Sequence, residues 1–200
     1  MVKAIVYICL IIFVIFVVVE TIRRTIANRI TSQLICYLYD EKTSEFDTLI
    51  NSTKARLSIF PYYRDNLKLS AAIIRNDEKE INKIMESFEK ANLKVSQREA
   101  LYLQCFQYYV LKENSTEATK YYNLIKENNP EGDHTELEIS YDVFVQKGSK
   151  YLEQCLNRLD ELEGNEKKAY ESYLYQMYKN KGDKENTEIF YKLLNDQEKA

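Results

Sequence analysis

The 200-residue chain carries a formal net charge of −3, is 45% hydrophobic and 30% charged, and contains only four glycines and two prolines. So few chain breakers exclude a many-turned β protein and point to helices joined by short connections. Lysines are interleaved with Asp and Glu and form no basic stripe, so no nucleic-acid partner is expected.

The first predicted element is apolar. Residues 4–19 read AIVYICLIIFVIFVVV without a polar interruption. As a helix the run spans about 24 Å, a little short of a bilayer core near 30 Å. Val2, Thr21 and Ile22 lengthen it, and Lys3 can snorkel to the headgroups. A cleaved signal peptide needs small residues at its cleavage site, but this run ends Val17-Val18-Val19-Glu20-Thr21. A retained transmembrane anchor over residues 1–22 is therefore expected. Arg23, Arg24 and Arg29 outweigh Lys3, which predicts a single-pass protein of the cell membrane with its C-terminal bulk in the cytoplasm. The sequons at Asn51 and Asn114 are no more than the Asn, Ser and Thr content yields by chance, and they decide nothing about topology.

The helix continues past the anchor. Ile22, Ile26, Ile30, Leu34 and Leu38 recur at every fourth position with polar residues between them, an apolar stripe on a helix. Residues 40–44 break the pattern. A second helix over residues 44–59 carries Phe46, Leu49 and Ile50, and Pro61 ends the hairpin. Residues 23–60 thus form the continuing helix and a first helical hairpin.

Residues 118–130, ATKYYNLIKENNP, carry the register shared by the later helices: a small residue, two tyrosines three and four positions on, an aliphatic at the seventh and a terminating proline. Ile81, Ala118, Leu152 and Thr187 occupy one column. Three residues on stand Ile84, Tyr121, Cys155 and Phe190; four on, Met85, Tyr122, Leu156 and Tyr191; seven on, Phe88, Ile125, Leu159 and Leu194. Phe46, Leu49 and Ile50 extend the columns back one unit. Successive units lie 35, 37, 34 and 35 residues apart. Turn formers precede each of these helices: Asn76-Asp77, Glu113-Asn114, Gly148-Ser149 and Gly182-Asp183, the two glycines tolerating positive φ. In the preceding helices stand Tyr102, Cys105, Phe106 and Tyr109, and later Leu174, Tyr175 and Tyr178.

This pattern resembles the tetratricopeptide repeat, whose period is 34 residues. The resemblance covers roughly residues 40–195 and is to a degenerate version, since Phe106 and Tyr175 stand where the family usually has Gly or Ala. It implies an all-α fold: the N-terminal transmembrane helix followed by a TPR-like α-solenoid of helical hairpins, the array proper occupying residues 61–195. Stacked hairpins share a continuous core, and the seventeen tyrosines are expected to be scaffold. Residues 196–200 are polar and expected to fray.

The resemblance also implies a function. Proteins of this family mostly bind peptides or helices, which makes the chain a membrane-anchored adaptor or scaffold for a protein partner at the cytoplasmic membrane face. Carrying the family's groove columns over gives one row of Ser70, Gln107, Tyr141 and Gln176. A second row holds Asn66, Leu103, Leu137 and Ser172, and an inner edge holds Ile74, Leu111, Val145 and Asn180. No Lys or Arg falls in these rows, so an apolar or amphipathic helix is the expected ligand, not an acidic tail. Alternatives stay open: the rows are simply core, or the chain's own 22–38 helix fills the groove. Two further readings are an outward-facing anchored protein that assists folding or export, and a structural protein without a free ligand groove, whose array self-associates or caps a larger membrane complex.

Chemistry-bearing motifs are missing. His134 lies in a loop-like GDHTE stretch and reads as an exposed lone histidine. Cys9, Cys36, Cys105 and Cys155 form no C-x-x-C pair and read as small apolar filler in helices. There is no Gly-rich phosphate loop, G-x-S-x-G or H-E-x-x-H, so no cofactor, metal or enzymatic activity is expected.

Overall fold

The computed structural model describes the backbone of residues 2–196 and the side chains of residues 12–195. Every regular element among the described residues is helical. Two compact units divide the chain, Met1–Asn92 and Leu93–Ala200.

The first unit contains α1 (Val2–Tyr39), α2 (Thr43–Asn51), α3 (Thr53–Ser58), α4 (Pro61–Ile74) and α5 (Glu78–Glu89). Ile30 and Leu34 of α1 are buried in one core with Phe46, Ile50, Ala55, Ile59 and Ala71, and Ile26 and Leu38 pack on its rim. The every-fourth-residue stripe is thus the face that α1 turns to α2 and α3, but it starts at Ile26, because Ile22 is exposed. Within this unit, residues 26–38 make α1 the first helix of the first hairpin.

The helix expected over residues 44–59 is in fact two. At Ser52 the backbone leaves the helical region (φ −63°, ψ 150°), and the Ser52 hydroxyl accepts a hydrogen bond from Ala55 N at 3.1 Å. Serine offers the backbone this local alternative to the helical ladder, so Ser52 closes α2 and caps α3. Pro61 then opens α4 at the first-turn position, where its missing N–H costs nothing.

The second unit contains α6 (Val95–Leu111), α7 (Ser115–Asn128), α8 (Thr135–Ser140) running into a π-helical turn (Tyr141–Val145), α9 (Leu152–Leu159), α10 (Gly164–Lys181) and α11 (Lys184–Asp196). Leu101, Cys105, Phe106, Tyr109, Ala118, Tyr121 and Ile125 are buried along α6 and α7, and the Tyr109 and Tyr121 rings stack at 5.7 Å. Further along, Ile139, Val143, Cys155, Leu174, Met177 and Phe190 form a second cluster, in which Tyr178 stacks on Phe190 at 5.6 Å. The columns thin toward the end, where Thr187 is half-buried and Tyr191 exposed.

A positive-φ turn recurs between α1 and α2, α4 and α5, α6 and α7, the π-helical turn and α9, and α10 and α11. Glu41, Asn76, Glu113, Lys147 and Gly182 all have positive φ, at the same intervals of 35, 37, 34 and 35 residues as the sequence columns. In four of these turns the residue after the positive-φ position donates its N–H five residues back: Lys42 to Tyr37, Asp77 to Ala72, Asn114 to Tyr109 and Asp183 to Tyr178, at 2.8–3.0 Å. The positive-φ residue itself donates three back, which completes a Schellman closure. Asp77, Asn114 and Asp183 then cap the next helix, each side chain accepting from the backbone N–H three residues on.

The fourth turn corrects the sequence expectation. Positive φ falls on Lys147, not on Gly148. Gly148 is needed for space: a Cβ there would lie 2.4 Å from Asp142 Oδ1 and 2.7 Å from Asp142 Cγ. The buried Asp142 cannot easily retreat, because its Oδ2 accepts Lys150 N at 3.0 Å and its carbonyl accepts Gly148 N at 2.8 Å. Gly148→Ala is therefore expected to cost about 1–3 kcal/mol, the range for overpacking. In an Asp142→Ala background the same change should cost at least about 1 kcal/mol less. Urea unfolding of the four-member cycle, followed by circular dichroism, checks this; strictly additive costs would reject the steric explanation.

Candidate functional site

The expected groove residues fall on α4 in the first unit and on α6, α8 with its π-helical turn, and α10 in the second. On α4, Asn66 and Ser70 are both half-buried, and Ser70 Oγ donates to the Asn66 carbonyl at 3.2 Å. Ile74 at the end of that helix is exposed. Asn66 borders a cavity of about 460 Å³ between α1 and the α3–α4 segment, whose other walls include Arg23, Arg24, Phe60, Tyr63 and Leu67.

In the second unit α6 has two faces. Leu101, Cys105, Phe106 and Tyr109 are buried, whereas Leu103 is 39% and Leu111 83% exposed on either side of an exposed Gln107. Helical spacing of four residues aligns Leu103, Gln107 and Leu111 in one outward row.

Farther along, the expected row residues are tied into the fold. Leu137 is buried. Tyr141 stacks on Tyr122 with ring centroids 4.0 Å apart, and its hydroxyl lies 3.0 Å from Thr119 Oγ1, joining the π-helical turn to α7. Gln176 donates to Asn180 Oδ1 at 2.8 Å, and Asn180 Nδ2 in turn donates to the carbonyls of Val143 and Gly148 at 3.0 and 2.9 Å. Asn180 is thus a clip holding α10 to the π-helical turn and its loop. Ser172 is half-buried on α10.

Beside Tyr141 a cleft of about 330 Å³ is lined by Tyr122, Glu138, Gln146, Lys150 and Tyr151. Lys126 binds Glu138, and its ammonium holds that carboxyl below the usual carboxylate range. Tyr151 donates to the other Glu138 oxygen at 3.2 Å, and the hydrogen bond between Lys150 and Tyr151 raises the lysine. Glu138, Lys150 and Tyr151 carry no mark in the sequence, where they read as ordinary charges and scaffold. The arrangement offers stacking and hydrogen bonding, and among the described residues no cluster of His, Cys, Asp and Glu could hold a metal.

Two residue readings change. His134 is buried, with Nε2 2.7 Å from the Asn129 carbonyl, because the 129–134 loop folds back ahead of α8. A carbonyl only accepts, so the contact selects the tautomer protonated at Nε2. Cys105 and Cys155 are buried as filler, but Cys36 is exposed on α1, and Cys9 lies outside the described side chains.

Among the described residues no helix is long and apolar enough to cross a membrane. Side chains 1–11 lie outside that set, and with them half of the 4–19 run; the tail expected at 196–200 lies largely outside it as well. No protein-family model, curated protein or solved structure matches the chain.

Proposed function

We propose that the chain is a membrane-anchored, tetratricopeptide-like adaptor that holds a protein partner, an amphipathic helix or peptide, at the cytoplasmic face of the cell membrane. The observation that carries the reading is the outward row of α6, where two leucines flank a glutamine on a helix whose other face is already core. Leu103 and Leu111, both exposed, lie about two turns apart on one side of the helix, and apolar residues spaced along one helix face are how helix-in-groove ligands are gripped. Support for the repeat reading comes from the five positive-φ turns recurring at the column intervals. The anchor reading is supported by the composition of residues 4–19 and by side chains 12–19, all apolar and each 45–65% exposed. Arg23, Arg24 and Arg29 favour the cytoplasmic side.

The test replaces Leu103 and Leu111 together by serine in the full-length chain. Both side chains are exposed, so the helical signal and melting temperature should be kept, with a change of about 0.5 kcal/mol or less per site. Cross-linking in native membranes should then lose a partner that the unmodified chain captures. An unchanged set of cross-linked proteins would remove α6 from the interface, and unfolding would show that the two leucines are core.

A further inference from the structure

The cavity between α1 and the α3–α4 segment has a chemistry that the adaptor reading does not use. We propose that it binds the headgroup of an anionic glycerophospholipid; this rests on the membrane-anchor reading above. Position is the first reason. Side chains 12–19 of α1 are apolar and exposed all round, spanning two helical turns. Within the next turn the helix changes to Glu20, Arg23 and Arg24, and all three line the cavity. In an anchored chain that change of character marks the headgroup layer, so the cavity opens where lipid phosphates lie. Its volume of about 460 Å³ falls within the usual range for small-molecule sites.

The walls supply the rest. Arg23 is fixed: its guanidinium donates to Glu20 at 2.7 and 2.8 Å and to the Ser58 carbonyl at 2.8 Å, and sits 4.3 Å from the Phe60 ring centroid. Arg24 is different. It donates to Glu20 through Nε at 3.0 Å, and its side chain is 74% exposed. Held only through Nε and largely exposed at the cavity wall, its guanidinium can grip a phosphodiester. Two guanidinium groups against one carboxylate leave the site with a positive excess, which selects an anionic headgroup over a zwitterionic one. Phe60 and Tyr63, each 58% exposed on the facing wall, are the aromatic type that settles at the membrane interface. Leu67 offers an apolar surface for the glycerol and the start of an acyl chain. Asn66, which the family pattern assigns to a peptide groove, supplies an amide to this cavity instead.

The experiment uses the full-length chain and its Arg24→Ser, Tyr63→Ala and Arg29→Ser variants. Arg29 is also exposed but does not line the cavity. Membranes are first washed with alkaline carbonate. Release of the unmodified chain would overturn the anchor reading and the lipid site with it. Protein retained in the membrane is then purified in detergent and offered equal amounts of dioleoyl phosphatidylglycerol and dioleoyl phosphatidylcholine, with bound lipid read by native mass spectrometry. The expected result is a preference of about fivefold or more for phosphatidylglycerol, the effect of one basic residue near an anionic lipid surface. Arg24→Ser should abolish that preference, Arg29→Ser should keep it, and Tyr63→Ala should lower retention of both lipids. No preference in the unmodified chain, or equal losses in the two arginine variants, would overturn the site while leaving the anchor standing. Binding of sn-glycerol 3-phosphate as tight as that of the lipid would assign the cavity to a soluble phosphoester instead.

Discussion

Replacing Phe106 by alanine is expected to destabilise the second unit by about 3–5 kcal/mol, the range for emptying a buried aromatic site. The substitution separates two views of the same position. In the tetratricopeptide pattern this place belongs to Gly or Ala, so alanine would restore a consensus residue and should be neutral or stabilising. In the structure Phe106 is 1% exposed, on the face of α6 that also buries Leu101, Cys105 and Tyr109. The small residue is on the other helix of the pair, at the buried Ala118. The packing here is built around a large side chain, and alanine would leave a void that its neighbours fill only in part. Leu111→Ala, on the exposed side of the same helix, should change stability by about 0.5 kcal/mol or less. Chemical unfolding of the full-length chain, followed by circular dichroism, measures both; equal stabilities for the two variants would overturn the assignment of α6 faces.

Helices are legible in this sequence because their periodicity depends on side chains that must be buried. Ile30 and Leu34, Phe46 and Ile50, Ile81 and Met85, and Ala118, Tyr121 and Ile125 are buried as their spacing requires. The turns are legible for a different reason: Asn76, Asp77, Asn114 and Asp183 are residues whose own chemistry favours a left-handed backbone or a cap. Glu41, Glu113 and Lys147 carry no such preference, yet they take the same positive φ. Packing of the flanking helices imposes it on them, and no local signal announces it. The break at Ser52 is hidden because a serine in a helical run is ambiguous: a solvent-facing hydroxyl and a cap look alike in one dimension.

Site residues are less legible than the fold. Tyr141 and Gln107 occupy equivalent columns, but Tyr141 is committed to Tyr122 and Thr119 whereas Gln107 faces solvent. The difference comes from the π-helical turn at Tyr141–Val145 and from the approach of Gly148 to Asp142, two features of the backbone path. A column copied from a regular repeat cannot register them. The cavity beside Arg23 and Arg24 is assembled from α1 and from the α3–α4 segment, more than thirty residues later in the chain. In sequence those arginines mark only the end of an apolar run.

Alkylation of the native chain with iodoacetamide at pH 8 should modify Cys36 readily and leave Cys105 and Cys155 intact. Both buried thiols are fully covered. Burial pushes Cys105 up to about 12, against a smaller opposing effect of the Tyr121 hydrogen bond, and pushes Cys155 up to about 11. Alkylation proceeds through the thiolate. At pH 8 a thiol titrating near 12 is ionised to about one part in ten thousand, against about a quarter for an ordinary cysteine near 8.5. Cys105 is therefore expected to react at least about tenfold more slowly than the exposed Cys36, because its scarcity of thiolate outweighs the greater nucleophilicity of a more basic thiolate and its burial adds steric cover. Peptide-resolved mass spectrometry reads each site separately, so Cys9 does not confuse the result. The same thiols set a direction for stability. Above pH 9 the unfolded chain loses thiol protons that the native state keeps, so the unfolded state binds fewer protons and stability falls as pH rises through 11–12. Cys105→Ala and Cys155→Ala should each flatten that alkaline decline while lowering stability at neutral pH. Equal alkylation of Cys36 and Cys105 in the folded chain would mean that α6 and α7 open far more often than their packing allows.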